Sequence, residues 1–196
     1  MNTNKLDTKT RQKQILDASL NLIKEGGIQN LTMKRISQKV GISEQAIYRH
    51  YRSKQDILCT IINHFNSHFE SVFDSVKKID AIEERIQAFL EGHLNYFQAN
   101  PATAAVIFSE EIFQFDSTLA KKVNNLVERR IRVITKFVEV AQAQGKFQPG
   151  SNPEDIAYII LGSLRFLVTT WRLSGFNYDL TVRGKSMKST LLRLIN

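Results

Sequence analysis

The sequence predicts an all-α protein of about nine helices, with an N-terminal three-helix head and a larger helical body. Apolar residues recur every three to four positions along most of the chain, and almost no stretch alternates as a strand would. Two of the three prolines, Pro101 and Pro153, stand where the first turn of a helix accepts proline. We therefore expect a head over residues 1–54 and a body over residues 55–196, within the size range of one compact unit.

The head contains the strongest local signals. The first helix is predicted over 10–25, because Gly26 and Gly27 end its apolar periodicity. Thr32 is a typical N-cap for a second helix that ends at Gly41, and Ser43 is a typical N-cap for a third helix over 44–51.

Six further helices are predicted in the body. The fourth begins after Ser53, and the sixth opens at Asn100-Pro101 and ends near Phe115; the others cover 81–98, 117–144, 153–174 and 180–195. The eighth helix, 153–174, is apolar on two faces, so it must be covered on both sides. Its apolar stretch, 156–171, is interrupted by polar residues and is interpreted as a buried helix, with no membrane span.

Composition excludes several classes of function. The single cysteine, Cys59, cannot form an intrachain disulfide, and the polar N-terminus lacks a signal peptide, so a cytoplasmic location is expected. His64 and His68 have a metal-compatible spacing but no third ligand nearby, and no catalytic arrangement or phosphate-binding glycine loop is present. We therefore predict no enzymatic activity, no catalytic residue, no metal site and no cofactor.

Charge is concentrated in the first quarter of the chain. Residues 1–56 contain eleven Lys and Arg against five Asp and Glu, a net charge of +6, whereas the remaining residues carry only +2. This distribution favours a polyanionic partner for the head, although a solubilising surface charge would give the same pattern.

Residues 31–51 have the pattern of a helix-turn-helix. Gly41 accepts the left-handed backbone that ends the first of the two helices, and Ile42 fills the corner between them. Apolar residues can form a small internal core, which leaves polar residues outward: Lys34, Glu44, Gln45, Tyr48 and His50. A helix of this size fits the major groove of duplex DNA.

The segments 15–27, 31–32 and 46–58 closely resemble the DNA-binding head of the TetR family of transcriptional regulators. The resemblance implies phosphate contacts from Thr32, Tyr48, His50 and Lys54, and base contacts from Lys34, Gln45 and Ala46. It also implies a homodimer built from the eighth and ninth helices, which binds a near-palindromic operator. Apolar residues of these helices are the interface candidates: Leu167, Trp171, Met187 and Leu191, although Trp171 could instead belong to a pocket.

The body is richer in aromatic residues than a small helical bundle needs. Core packing explains most of these rings, and a subset is expected to line a cavity for a small apolar or amphipathic effector. The candidate residues are Phe89, His93, Phe97, Phe108, Phe137, Arg165 and Phe166. A buried Arg165 would favour an anionic head group on the effector.

The sequence therefore predicts a repressor that an effector releases from its operator. Two alternatives stay open: an architectural DNA binder without an effector, and a small-molecule or acyl-chain binding protein whose head is vestigial.

Overall fold

The computed structural model describes residues 7–109, 114 and 116–195, and within them it contains nine α-helices and no strand. The helices are α1 (Thr8–Gly26), α2 (Met33–Val40), α3 (Glu44–Tyr48), α4 (Lys54–Val76), α5 (Ile82–Ala99), α6 (Pro101–Ile107), α7 (Ser117–Ala143), α8 (Pro153–Leu173) and α9 (Leu180–Ile195), with a short 3-10 turn, Ile28–Asn30, after α1. The all-α prediction is confirmed.

Local capping determines where the head helices begin and end. Thr32 Oγ1 accepts the Arg35 N–H at 3.2 Å, and Ser43 Oγ accepts the Ala46 N–H at 3.2 Å. Gly41 ends α2 in the left-handed conformation at φ 75°. These caps satisfy backbone groups that have no partner inside the helix, so the turn between α2 and α3 is closely specified by its sequence.

Two helices are shorter than the sequence predicts. Helix α3 ends at Tyr48, and the next N–H groups, of His50 and Tyr51, bond back to the Ile47 carbonyl in a tight turn. Helix α6 begins at Pro101 as expected but ends at Ile107. The predicted end of α6 near Phe115 lies outside the described residues.

The head packs around a small core in which Ile15, Ile36 and Ile47 are fully buried. An ion pair of 2.6 Å between Lys39 and Glu25 also links α2 to α1. A head that ends at residue 54 stays a prediction, because α4 begins at Lys54 and continues without a break into the body.

The body packs α5 between α4 and α9, and α8 lies along α7. Aromatic rings of α4 and α5 form its centre, where Phe65 contacts Phe97 and Phe69 contacts Phe89. Helix α9 approaches α5 so closely at Gly184 that a Cβ atom there would overlap the Leu94 side chain.

Helix α8 has one buried apolar face and one exposed apolar face. Ile156, Ile160 and Leu164 belong to the buried face, whereas Ile159, Phe166 and Leu173 are exposed. The described part of the chain therefore covers only one of the two faces. By length and composition, α8 is the only helix in the described ranges that is apolar enough to cross a membrane, a test that the core helix of a folded domain also passes.

Candidate DNA-binding surface and ligand cavity

The helix-turn-helix presents the expected residues on one side of the head. Thr32, Lys34, Gln45 and Tyr48 are exposed, and Ala46 is half-buried. Beneath them Ile36 and Ile47 are buried, and Val40 and Ile42 are packed against the same core. Exposed polar residues over a buried apolar core are what a groove-binding helix pair presents.

The other two phosphate-contact candidates are partly engaged within the head. The Lys54 ammonium donates to the Ile28 carbonyl at 3.0 Å, and desolvation lowers its pKa. His50 is half-buried, and its Nδ1 has no hydrogen-bond partner among the described residues. Because an ammonium has three N–H donors, Lys54 retains donors for a phosphate while it links the start of α4 to the turn after α1.

A cavity of about 450 Å³ lies in the body among α4, α5, α6, α7 and α8. Four of the seven predicted ligand residues line it: His93, Phe97, Phe108 and Arg165. The Arg165 guanidinium lies 5.8 Å from the centre of the Phe108 ring. The remaining wall is mostly apolar, with Phe65 from α4, so the cavity extends to a helix that the sequence did not include.

Three predicted ligand residues lie elsewhere. Phe89 is fully buried against Phe69 and Phe137, so Phe89 and Phe137 form part of the core behind the cavity wall. Phe166 is 70% exposed on the outer face of α8. None of the three lines this cavity, because periodicity identifies an apolar position without indicating whether it meets a neighbouring ring, a cavity or solvent.

His93 is a neutral, almost fully buried group at the cavity wall. Its Nδ1 bonds to the Phe89 carbonyl at 2.8 Å, and its Nε2 has no partner among the described residues. Desolvation lowers the pKa of His93 to about 3. The Nδ1 atom must be the donor in this bond, because a carbonyl oxygen only accepts.

Arg130 is the charged residue of the cavity wall that the sequence analysis missed. Its side chain is buried, its Nη1 donates to the Leu126 carbonyl at 3.0 Å, and its guanidinium lies 4.5 Å from the Phe65 ring and 4.3 Å from the Phe69 ring. Desolvation lowers its pKa to about 9. Helical spacing could have identified it, since Arg130 stands on the stripe formed by Val123, Leu126 and other apolar residues of α7.

No three His, Cys, Asp or Glu side chains come together as a metal site within the described ranges. His64 is exposed, and His68 stacks on Tyr96 and bonds through Nε2 to the Gly92 carbonyl. The two histidines thus have different surroundings despite their metal-compatible spacing.

Two family models match the chain, one in the head and one in the body. The model described as "Bacterial regulatory proteins, tetR family" matches residues 15–59, and the model described as "YsiA-like protein, C-terminal region" matches residues 61–194. The chain belongs to the TetR family of transcriptional regulators. The predicted family and its DNA-binding helix-turn-helix are confirmed.

Relatives of known function agree with this assignment. The fatty acid metabolism regulator protein of Bacillus subtilis (strain 168) is 22% identical over 180 residues, which are 91% of this chain and 92% of that protein. The nucleoid occlusion factor SlmA of Glaesserella parasuis is 29% identical over 125 residues, which are 63% of this chain and 62% of that protein. One is a regulator and the other a nucleoid occlusion factor, and this agrees with the prediction of a non-enzymatic function.

The fold is also that of a solved TetR-type regulator. The structure of FadR from Bacillus subtilis in complex with stearoyl-CoA matches with a TM-score of 0.79 and 21% sequence identity, over 94% of this chain and 99% of that one. At this identity the comparison establishes the fold.

The predicted dimer residues of this TetR-family chain lie mostly inside the protomer. Leu167, Trp171 and Leu191 are buried, and the Trp171 indole N–H donates to the Tyr178 carbonyl at 2.8 Å. Met187 is half-buried in a groove between α8 and α9. The assignment of the three buried residues to an interface is therefore corrected, because they belong to the core between α8, α9 and the rest of the body.

Proposed function

We propose that the protein is a cytoplasmic repressor that binds a near-palindromic operator as a homodimer and is released when a small amphipathic effector enters the body cavity. The single observation that carries this proposal is the cavity of about 450 Å³ among α4–α8, in the same chain as an exposed helix-turn-helix. Such a volume is within the range of roughly 300–1,000 Å³ typical of small-molecule sites.

The head supplies both kinds of DNA contact. Gln45 and Lys34 are exposed near the starts of α3 and α2, where side chains reach base edges. Thr32 and Tyr48 are exposed and Lys54 is half-buried, which supports their proposed role as phosphate contacts. The net charge of +6 over residues 1–56 supports a polyanionic partner for this surface.

The wall of the cavity suits an effector with an apolar chain. Phe65, Phe97 and Phe108 line it together with aliphatic residues of α7 and α8, and burial of apolar surface drives binding at such a wall. The related FadR of Bacillus subtilis has been solved with stearoyl-CoA, a molecule with a long apolar chain. This relationship supports an acyl-like effector for the present chain.

The exposed face of α8 supports dimerisation. Ile159, Phe166 and Leu173 follow one another at seven-residue intervals, so they form one stripe, and the exposed fractions of Phe166 and Leu173 are 70% and 76%. Large exposed apolar patches mark interaction surfaces. Gly162 stands beside this stripe, where a Cβ atom would meet open space, so a second helix could approach the backbone closely.

A dimer would place two recognition helices about 34–36 Å apart, one turn of DNA, which explains the near-palindromic operator. If the effector and the operator prefer different separations of the heads, each weakens binding of the other. The effector therefore releases the protein from its operator, and repression by the DNA-bound protein is part of the proposal.

Operator release by a ligand is the decisive experiment. An operator would first be selected from random duplexes, and its complex would then be titrated with dodecanoic acid and with dodecanoyl-CoA while fluorescence anisotropy reports DNA binding. Leu126→Trp, which fills the cavity, should bind the operator but lose release, whereas the exposed control Asn125→Trp should behave as the unmodified protein.

Three outcomes would contradict parts of the proposal. Operator binding that no ligand changes would favour the architectural DNA binder, and the nucleoid occlusion relative gives that alternative some support. Ligand binding without operator binding would favour the carrier with a vestigial head. Release that persists in Leu126→Trp would place the effector site outside the cavity.

A further inference from the structure

The ligand cavity contains a buried positive charge. Arg130 lines it with only 8% of its surface exposed, and no acidic side chain of the described residues lies within salt-bridge distance of its guanidinium. The negative charge of Glu70 raises the pKa of Arg130, but the Glu70 carboxylate forms its ion pair with Arg129. Rings of Phe65 and Phe69 stabilise the cation in part. A buried cation without an anion is expensive, so this arrangement favours an anionic ligand.

The unused donors of Arg130 have the geometry of a carboxylate site. Nη1 is engaged by the Leu126 carbonyl, whereas Nε and Nη2 have no partner in the described part of the chain. The N–H groups of Nε and Nη2 are parallel and lie on one edge of the guanidinium plane. A carboxylate binds such an edge with both oxygens, in two charge-assisted hydrogen bonds.

The neighbouring His93 does not add a second charge. Its Nδ1 donates to the Phe89 carbonyl, its exposed fraction is 1%, and its pKa is lowered to about 3, so the ring is neutral near pH 7. Arg130, with a pKa of about 9, stays protonated at that pH. One monovalent anion therefore neutralises the buried charge of this part of the wall.

We propose that the effector is a free carboxylic acid whose carboxylate is held inside the cavity on the Nε and Nη2 edge of Arg130, with its apolar body against the phenylalanine rings. This inference rests on the proposed ligand-responsive function and names the effector's head group. An acyl thioester fits less well, because its carbonyl is neutral and its large nucleotide group would stay outside, which leaves Arg130 without an anion.

Calorimetric titration of the full-length protein with three probes of equal chain length tests the proposal. The probes are dodecanoic acid, dodecan-1-ol and dodecanoyl-CoA. The acid should bind the unmodified protein about tenfold to a hundredfold more tightly than the alcohol, which is the effect of hydrogen bonds to a charged group. Arg130→Met should remove that preference by weakening the acid alone. The exposed control Arg132→Met, on the same helix, should keep it.

Folding of the variant is checked independently of ligand binding. Arg130→Met should melt at or above the temperature of the unmodified protein, because it replaces a buried charge that lacks an ion-pair partner with an apolar side chain. If that variant fails to fold, Arg130→Gln, which keeps polar atoms without the charge, takes its place in the titrations.

Several results would overturn the inference. One is equal affinity of the unmodified protein for the acid and the alcohol. Another is an equal loss of affinity for both probes in Arg130→Met. A third is that none of the three probes binds. Tight binding of dodecanoyl-CoA that Arg130→Met leaves unchanged would place the head group outside. Release of the operator by the alcohol as readily as by the acid would leave the proposed repressor function intact and refute only the carboxylate site.

Discussion

Replacing Lys54 with methionine separates two roles that the structure gives this side chain. Its ammonium donates to the Ile28 carbonyl at 3.0 Å inside the head, and it lies at the start of α4, where we propose a phosphate contact. Methionine keeps most of the apolar stem and removes the charge. The internal hydrogen bond affects folding, whereas the phosphate contact affects the salt dependence of DNA binding.

The expected change in folding stability is small. The Ile28 carbonyl also accepts the Leu31 N–H at 3.1 Å, so it keeps a partner in Lys54→Met. Loss of a hydrogen bond from a charged group costs about 1.5–3 kcal/mol, and relief of a partly desolvated charge offsets much of that cost. DNA binding should change in its salt dependence: each lost phosphate contact reduces the magnitude of the slope of log K against log salt by about 0.9, or about 1.8 for the two heads of a dimer.

Fluorescence anisotropy at several salt concentrations measures this slope, and thermal melting measures the change in stability. Lys39→Met is the matched control, because the Lys39 ammonium pairs with Glu25 on α1 and has no predicted phosphate contact. A slope unchanged in Lys54→Met, or reduced equally in both variants, would refute the phosphate contact and leave Lys54 with only its internal role.

Four further predictions concern other parts of the molecule. Gln45→Ala should cost roughly 1–3 kcal/mol at one operator base pair and little elsewhere; a set of single-base operator variants measures this, and an equal loss at all positions would exclude base reading. Phe166→Glu should yield monomers in sedimentation, because it places a charge on the exposed apolar stripe of α8, and a dimer that persists would move the interface elsewhere. Gly184→Ala should lower the free energy of unfolding, measured in urea, by about 1–3 kcal/mol, because the added Cβ atom would overlap the Leu94 side chain. Ser189→Ala is the exposed control, and an equal loss of stability in both variants would contradict this packing. The melting temperature should fall as pH drops below the ordinary histidine pKa near 6.5. The cause is that His93 takes up a proton in the unfolded chain, whereas buried His93, with a pKa of about 3, stays neutral in the folded protein. His93→Gln should flatten this pH dependence, and a variant with the same pH profile as the unmodified protein would show that other groups cause it.

The parts of the head that the sequence predicts correctly have local causes. Thr32 and Ser43 cap helices through bonds to the third following residue, and Gly41 supplies a left-handed conformation at its own position. These interactions depend on neighbours in sequence, so residue order is enough to locate them.

The cavity and the interface depend on packing between distant segments, and there the sequence was less informative. Helix α8 is apolar on two faces, and composition cannot tell which one meets the core of the chain. Leu167 and Trp171 were therefore predicted at an interface although they are buried, and Phe166 was predicted in the cavity although it is exposed. Arg130 was missed because a charged residue is normally exposed, although its helical spacing places it on an apolar stripe.

Helix α4 connects the proposed effector site to the proposed DNA-binding surface. Phe65 of α4 lines the cavity, and the same helix begins at Lys54, directly after the helix-turn-helix. In its first turn, Gln55 donates to both carboxylate oxygens of Asp116 at 2.9 and 2.8 Å, and Asp116 is the N-cap of α7. Helix α7 also carries Arg130, so the proposed carboxylate site lies on a helix that is fixed to the base of the head.

An effector that pulls on Arg130 or displaces Phe65 would therefore act on both sides of the contact between Gln55 and Asp116. The head cannot respond independently of these helices, because α4 runs from the head into the cavity wall without a break. A difference of about 1–3 kcal/mol in effector affinity between two head positions changes operator affinity by the same amount. Two charge-assisted hydrogen bonds to Arg130 that form fully in only one head position would supply a difference of this size.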